Sequence, residues 1–342
     1  MKTFRVLAWL MLFAVLYTTV SNALMHKSPD VFAAKKYTAH TESQFQVVAL
    51  GSSHMYCAFD TIELYKDFGL SSFVLATRRQ PLEVSYHLID KVHTANVILL
   101  EAYMLVIDDL YEDSVWHSAY DGWELGWWKC MAICAARYEK MEELLFPLIK
   151  YHTRWKDFKI ADFPFEKNDY FGYRFYMKRN SLKTLDWMRI DSGSNGMHLP
   201  NDNEAWFKEI CANVKKGNAK LVVIVVPYQI GLNAAYQELI SRRFKRVKEL
   251  AKDMDVPVVD LFEQKGLIDE QTDFYDKGHL NVFGAEKATR YIGQWLVDHY
   301  DFNTNMTAEC RAKWDAEVKR YDKAYDKAKA AVISVNTKAK GH

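Results

Sequence analysis

The chain has 342 residues, a formal charge of +1, 49% apolar residues and 14% aromatic ones. That length suits one large or two small domains, and the apolar share can fill a sizeable core. A balance this close to neutral excludes the bulk basic field of a nucleic-acid binder. The five cysteines, Cys57, Cys130, Cys134, Cys211 and Cys310, are odd in number and show no disulfide framework. Cys130 and Cys134 sit at helical spacing, but no His or Cys cluster accompanies them, so buried thiols are expected and no metal site. No Gly-x-x-x-x-Gly-Lys or Gly-x-Gly-x-x-Gly is present, and no cofactor is expected.

Lys2 and Arg5 precede an uncharged run over 6–25. At ~1.5 Å per residue this run is about 30 Å long as a helix, enough to cross a bilayer. Ser21-Asn22-Ala23 offers a weak small-residue cleavage site. A signal anchor and a cleaved signal peptide both fit residues 1–25, and both place the rest of the chain outside the cytoplasm. Residues 26–44 are polar and read as a linker or irregular lead-in.

Five short apolar runs follow, at 45–50, 72–76, 96–101, 220–226 and 256–261, each with the look of a buried strand. About 20 residues separate each of the first three from the next, room for crossover helices over 60–68 and 82–91. This βαβαβ order predicts an α/β fold with a mostly parallel five-stranded sheet between helices, over residues 45–300. An aromatic-rich insert over 104–213, with Trp116, Trp123, Trp127, Trp128, Trp155 and Trp187, interrupts the third and fourth strands. A helix is expected over 127–149, and loops near the sheet over 151–155 and 168–174. The insert either walls a site or is a structural helical cap. A last helix of the domain runs from about Gly284 to Tyr300. In the charged tail, 301–342, Trp314, Val318, Tyr321, Tyr325 and Val332 recur at helical spacing, as in a helix lying on its own domain.

Gly51-Ser52-Ser53-His54 stands at the end of the first strand, where α/β folds bind ligands. The helix that follows aims free N–H groups at the same spot. Ser53 is a weak nucleophile without a base beside it. Asp276-Lys277-Gly278-His279 supplies both a base and a carboxylate to orient it, three residues apart on one late loop. Each motif alone is common: the first as a strand-to-helix turn with a serine cap, the second as a solvated turn. Their order along the chain gives them value, with Asn281 and Gly284 leading into the closing helix.

That order resembles the SGNH/GDSL hydrolase superfamily. It is most similar to bacterial cell-surface SGNH-like proteins related to the D-alanyl transfer protein of teichoic-acid D-alanylation and to alginate-type O-acetylation factors. The likeness spans about 45–298. It rests on Leu50-Gly-Ser-Ser-His54, Gln80-Pro-Leu-Glu-Val-Ser-Tyr86, Leu99-Leu-Glu-Ala-Tyr103, His152-Thr-Arg-Trp155, Pro227-Tyr228 and Tyr275-Asp-Lys-Gly-His-Leu-Asn281. The resemblance implies a three-layer α/β/α fold of flavodoxin-like type and a Ser53–His279–Asp276 triad. It also implies an acylated cell-envelope glycan or teichoic acid as substrate, and a membrane-bound O-acyltransferase as partner. The superfamily's oxyanion-hole glycine and Gly-x-Asn-Asp blocks are missing. Ala76-Thr-Arg-Arg-Gln80 and Glu101-Ala-Tyr103 occupy those places. The Ser53 N–H remains a donor, Gln80 is the candidate side-chain donor, and His54 either lines the pocket or caps the helix. Two readings follow: an extracytoplasmic serine esterase or O-acyltransferase, or a catalytically inactive envelope protein that binds polysaccharide or a membrane partner.

Overall fold

The computed structural model describes residues 2–25, 28–39, 45–107, 112–157, 169–177, 198–200, 202–229, 234–302 and 306–339. Strands β1 (Val47–Gly51), β2 (Ser72–Ala76), β3 (Val97–Glu101), β6 (Lys220–Val225) and β7 (Val258–Asp260) form one parallel sheet in the order β2-β1-β3-β6-β7. All residues of β1, β2 and β3 are buried, which is why these strands read as unbroken apolar runs rather than as alternation. Both faces must then be covered by helices. Helix α4 (Thr61–Phe68) packs with α13 (Val282–His299), α5 (Leu82–Val92) with α11 (Asn203–Val214), and α6 (Tyr103–Val106) with α12 (Ala234–Asp253). The α/β architecture with a mostly parallel five-stranded sheet flanked by helices is as expected, and it is consistent with three layers.

Three segments differ from the expectation. The lead-in over 26–44 contains a helix, α2 (Pro29–Ala39), which packs against β2. Its Tyr37 ring sits 5.3 Å from Phe73 and 5.7 Å from Phe45. Its Asp30 forms an ion pair with Arg174 at 2.5 Å. The stretch expected as a loop at 168–174 holds a short hairpin, β4 (Asp169–Tyr170) and β5 (Tyr173–Arg174). Phe171 and Gly172 both have positive φ, 49° and 85°, as a two-residue hairpin turn requires. At Gly172 an added Cβ would lie 1.9 Å from the Val74 carbonyl, so only glycine lets the hairpin approach edge strand β2.

The helix expected over 127–149 is divided into α8 (Trp127–Arg137), α9 (Met141–Leu145) and α10 (Pro147–Tyr151). Pro147 lacks the N–H that a continuing helix needs, and Phe146 before it leaves helical geometry, with ψ of 79°. Helix α7 (Asp113–Tyr120) is tied to α10 through buried Asp121, which accepts from Tyr151 Oη at 2.7 Å and faces His117 Nδ1 at 3.0 Å. Trp116 and Trp123 are buried core residues, Trp128 stacks on Trp123, and Trp187 lies outside the described residues. The thiols split: Cys57, Cys211 and Cys310 are buried, but Cys130 is half-buried and Cys134 exposed. The latter two miss the buried side of α8, which Lys129, Ala132 and Ile133 occupy.

The tail forms α14 (Ala308–Ala339), which packs on α4. Trp314 and Tyr321 are fully buried, while Val318 and Tyr325 pack at the margin. The Trp314 ring stacks on Phe171 at 4.1 Å and on Tyr65 at 4.9 Å. At the other end, α1 (Lys2–Leu24) is long and apolar enough to cross a membrane or to serve as a signal sequence. Its apolar side chains face outward along almost its whole length.

Candidate active site

Strand β1 ends at Gly51, and helix α3 (Ser53–Ala58) begins two residues later. Gly51 has φ of +154°, and a Cβ there would sit 2.5 Å from the Glu101 Cβ. Glycine is therefore demanded twice, by backbone and by space. Ser52, not His54, is the N-cap: its Oγ accepts from the His54 N–H at 3.2 Å. Its own hydroxyl donates to Glu101 Oε2 at 2.8 Å, and its N–H donates to the same oxygen at 3.2 Å. The other Glu101 oxygen accepts the Tyr103 N–H. Burial raises the Glu101 pKa to about 7, against the pull of the hydrogen bonds from Ser52 and Tyr103. This carboxyl braces the turn on which Ser53 stands. Ser53 occupies the first position of α3, where the helix itself leaves the N–H without an acceptor.

The imidazole beside Ser53 comes from a segment 226 residues later in the sequence. Residues 272–281 fold back on themselves: the Tyr275 N–H donates to the His279 carbonyl at 2.8 Å, and the Asn281 N–H to that of Asp273 at 2.8 Å. The Asn281 side chain then caps α13 by accepting from Phe283 and Gly284 N–H. Within this loop Asp276 Oδ1 accepts the N–H groups of Gly278 and His279 at 2.8 and 2.9 Å. His279 Nδ1 lies 2.8 Å from Asp276 Oδ1 and 2.9 Å from Oδ2. An ionised carboxylate only accepts, so Nδ1 holds the proton and the neutral ring presents a lone pair at Nε2. That Nε2 lies 2.7 Å from Ser53 Oγ, across 226 residues of sequence. Burial pushes the Asp276 pKa up, but the bond and charge of His279 and the two N–H groups outweigh it and hold it below the usual carboxylate range.

Around this trio stands a ring of aromatic side chains. His54 is buried, stacks on Tyr103 at 3.7 Å, and meets His279 edge-on at 5.1 Å. Tyr228 meets both His54 and Tyr103 edge-on, at 5.4 and 5.0 Å. Burial, then the charge of His279, lowers the His54 pKa well below that of free histidine, so this ring is neutral at pH 7. Its Nδ1 is buried without a hydrogen-bond partner. Gly278 packs close beneath it: a Cβ there would lie 3.4 Å from His54 Nε2.

The structure thus brings Ser53, His279, Asp276 and His54 together. It does not bring Gln80 into hydrogen-bonding contact with them. Gln80 is buried in its own loop, where Oε1 accepts from Thr77 Oγ1 at 3.2 Å and Nε2 donates to Ser85 Oγ at 3.0 Å. A local network therefore holds its amide. Glu101, Tyr103 and Tyr228 were not singled out as site residues from the sequence. The available signal was their position at the C-terminal end of β3 (Glu101) or just past the ends of β3 and β6 (Tyr103 and Tyr228), where α/β sheets expose their ligand-binding rim.

The arrangement has the parts of a nucleophile–base–carboxylate relay, with a helix N-terminus beside the hydroxyl. Among the described residues no group of three or more His, Cys, Asp or Glu side chains is placed to hold a metal ion. No family model matches the chain, and no curated protein matches it.

Proposed function

We propose that the protein is a serine esterase or O-acyltransferase of SGNH type, held at the outer face of a membrane and acting on acyl groups of a cell-envelope glycan. The observation that carries this reading is the continuous relay Ser53 Oγ–His279 Nε2–Asp276, with contacts of 2.7 and 2.8 Å. His279 takes the Ser53 proton as Oγ attacks the ester carbonyl. The Asp276 carboxylate stabilises the imidazolium that forms. The Ser53 N–H faces the developing oxyanion from the first turn of α3. Collapse releases the sugar hydroxyl, protonated by His279, and leaves an acyl-serine. Water then yields the free acid, or a second sugar hydroxyl takes the acyl group. Transfer requires that water be kept from the acyl-serine, a task suited to the aromatic ring of Tyr103, His54 and Tyr228. An acylated glycan or teichoic acid as substrate, and a membrane-bound O-acyltransferase as partner, follow from the sequence resemblance.

A second reading is a catalytically inactive envelope protein that binds polysaccharide or that acyltransferase. One observation favours it: Glu101 occupies the place where the resemblance implies the oxyanion-hole block, and Gln80 is held by Thr77 and Ser85. Turnover of a chromogenic acetyl ester, together with covalent labelling of Ser53 by a fluorophosphonate, separates the two. Both signals are expected for the purified chain and both are lost in Ser53→Ala. Retained glycan binding with neither signal establishes the inactive protein instead.

A further inference from the structure

The aromatic-rich insert meets α1 in a way that constrains both. Arg154 Nη1 donates to the Leu24 and Met25 carbonyls at 2.8 and 2.9 Å, closing the C-terminal end of α1. Leu24 and Met25 share a small buried cluster with Tyr151 and Leu148 of α10. Farther back along α1, the Tyr17 ring meets Phe146 edge-on, with centroids 6.2 Å apart. The insert therefore does more than touch the end of α1. It runs alongside α1 for seven residues, roughly 10 Å at the helical rise.

The uncharged run over 6–25 is about 30 Å long, no more than the thickness of a hydrocarbon core. A spanning helix so short has no spare turn to stand clear of lipid. Tyr17 then lies at hydrocarbon depth, and so does the Phe146 ring beside it. Phe146 and Ile149 are 41% and 48% exposed, so at that depth their open faces meet acyl chains. Trp155 follows Arg154, the residue bonded to the end of α1, and is 62% exposed, with Lys156 over its ring at 5.6 Å. An exposed tryptophan among basic residues is the side-chain pattern of a membrane–water boundary.

We propose that residues 146–155 of the insert are immersed in the outer leaflet beside α1, so that the domain is seated on the bilayer by two adjoining elements. The proposal rests on α1 as a spanning helix, and it is independent of the serine chemistry. The occupant is lipid, because the patch continues the surface of a helix whose own apolar side chains face outward. An immersion of ~10 Å is also what interfacial helices reach.

The test uses the full chain in phosphatidylcholine–phosphatidylglycerol vesicles that contain a phospholipid with a photoactivatable diazirine in its acyl chain. Adducts are then mapped by mass spectrometry. Adducts are expected on α1 and on residues 146–155, and not on Phe262 or Val297, which are apolar and 36% and 39% exposed elsewhere on the surface. Adducts on α1 alone overturn the proposal. Equal labelling at Phe262 and Val297 also overturns it. Labelling of neither α1 nor 146–155 removes the spanning helix and the proposal together, while ester turnover, measured on the same sample, reports separately on the serine chemistry.

Discussion

Ser53 and His279 are joined by a single hydrogen bond, so the consequences of single changes differ in kind. Asp276→Asn keeps the size of the side chain but presents an amide to His279 Nδ1, which favours the wrong tautomer. An approximately 10³–10⁴-fold loss of kcat is expected with the fold intact, measured by ester turnover beside a thermal melt. Glu101 acts on a different quantity. Its folded pKa, about 7, lies above its ordinary value of 4.5, so the stability associated with it is fully present below pH 4.5 and is lost as pH rises to 7. A shift of that size corresponds to ~3 kcal/mol between those limits. Glu101→Gln removes this titration, and the fall in unfolding free energy between pH 5 and 7.5 should shrink in denaturant titrations at the two pH values. Ser53, His279 and Asp276 were legible because each is a residue of limited chemistry at a rim position. Glu101, Tyr103 and Tyr228 were less so, since a carboxylate bracing a turn and a tyrosine stacked on His54 announce themselves only once β1, β3 and β6 are side by side. The setting of Gln80 was hidden for the same reason: nothing in its local sequence says that Thr77 and Ser85 hold its amide.

Among the elements, the turn between β1 and α3 and the docking of α14 are the most exacting. Gly51→Ala places a Cβ against the Glu101 side chain at a backbone angle that alanine avoids. A cost of roughly 2–4 kcal/mol is expected from strain and overpacking, with loss of fluorophosphonate labelling in whatever fraction folds. In α14, Tyr321 Oη donates to Asp60 Oδ2 at 2.6 Å inside the core. Tyr321→Phe leaves that oxygen one donor short and should cost about 1–2 kcal/mol, whereas Trp314→Ala opens a cavity against Phe171 and Tyr65 and should cost about 3–5 kcal/mol. Both are read from chemical denaturation. The strands were readable because a parallel strand buried on both faces has little freedom in composition. Helix α2 was not, since its anchors, Asp30 to Arg174 and Tyr37 to Phe73, lie far away in the chain. The β4–β5 hairpin escaped notice because a two-residue strand has no period to detect.

At the scale of the molecule, segments on either side of the sheet domain in the sequence pack back onto it. Helix α2 covers the β2 edge from the N-terminal side, and α14 covers α4 and the hairpin from the C-terminal side. If α1 is retained as an anchor, the full chain should stay with membranes through an alkaline carbonate wash, and its intact mass should include residues 1–25. A product shortened near Ser21–Ala23 would establish cleavage. The insert at 151–155 was expected near the sheet. Its arginine instead closes α1, an assignment no local pattern offers, because the acceptors are backbone carbonyls 129 and 130 residues earlier.

The wide separation between the hydroxyl and its proton acceptor has a temporal meaning as well. A polypeptide made from its N-terminus exposes Ser53 first, and His279, in its self-contained loop with Asp276, leaves the ribosome 226 residues later. Until β7 joins the sheet edge and α13 closes over it, the serine has no acceptor for its proton and is as inert as any surface alcohol. The Ser53–His279 contact is thus absent from any nascent chain that stops short of His279, and it forms on whichever side of the membrane folding is completed.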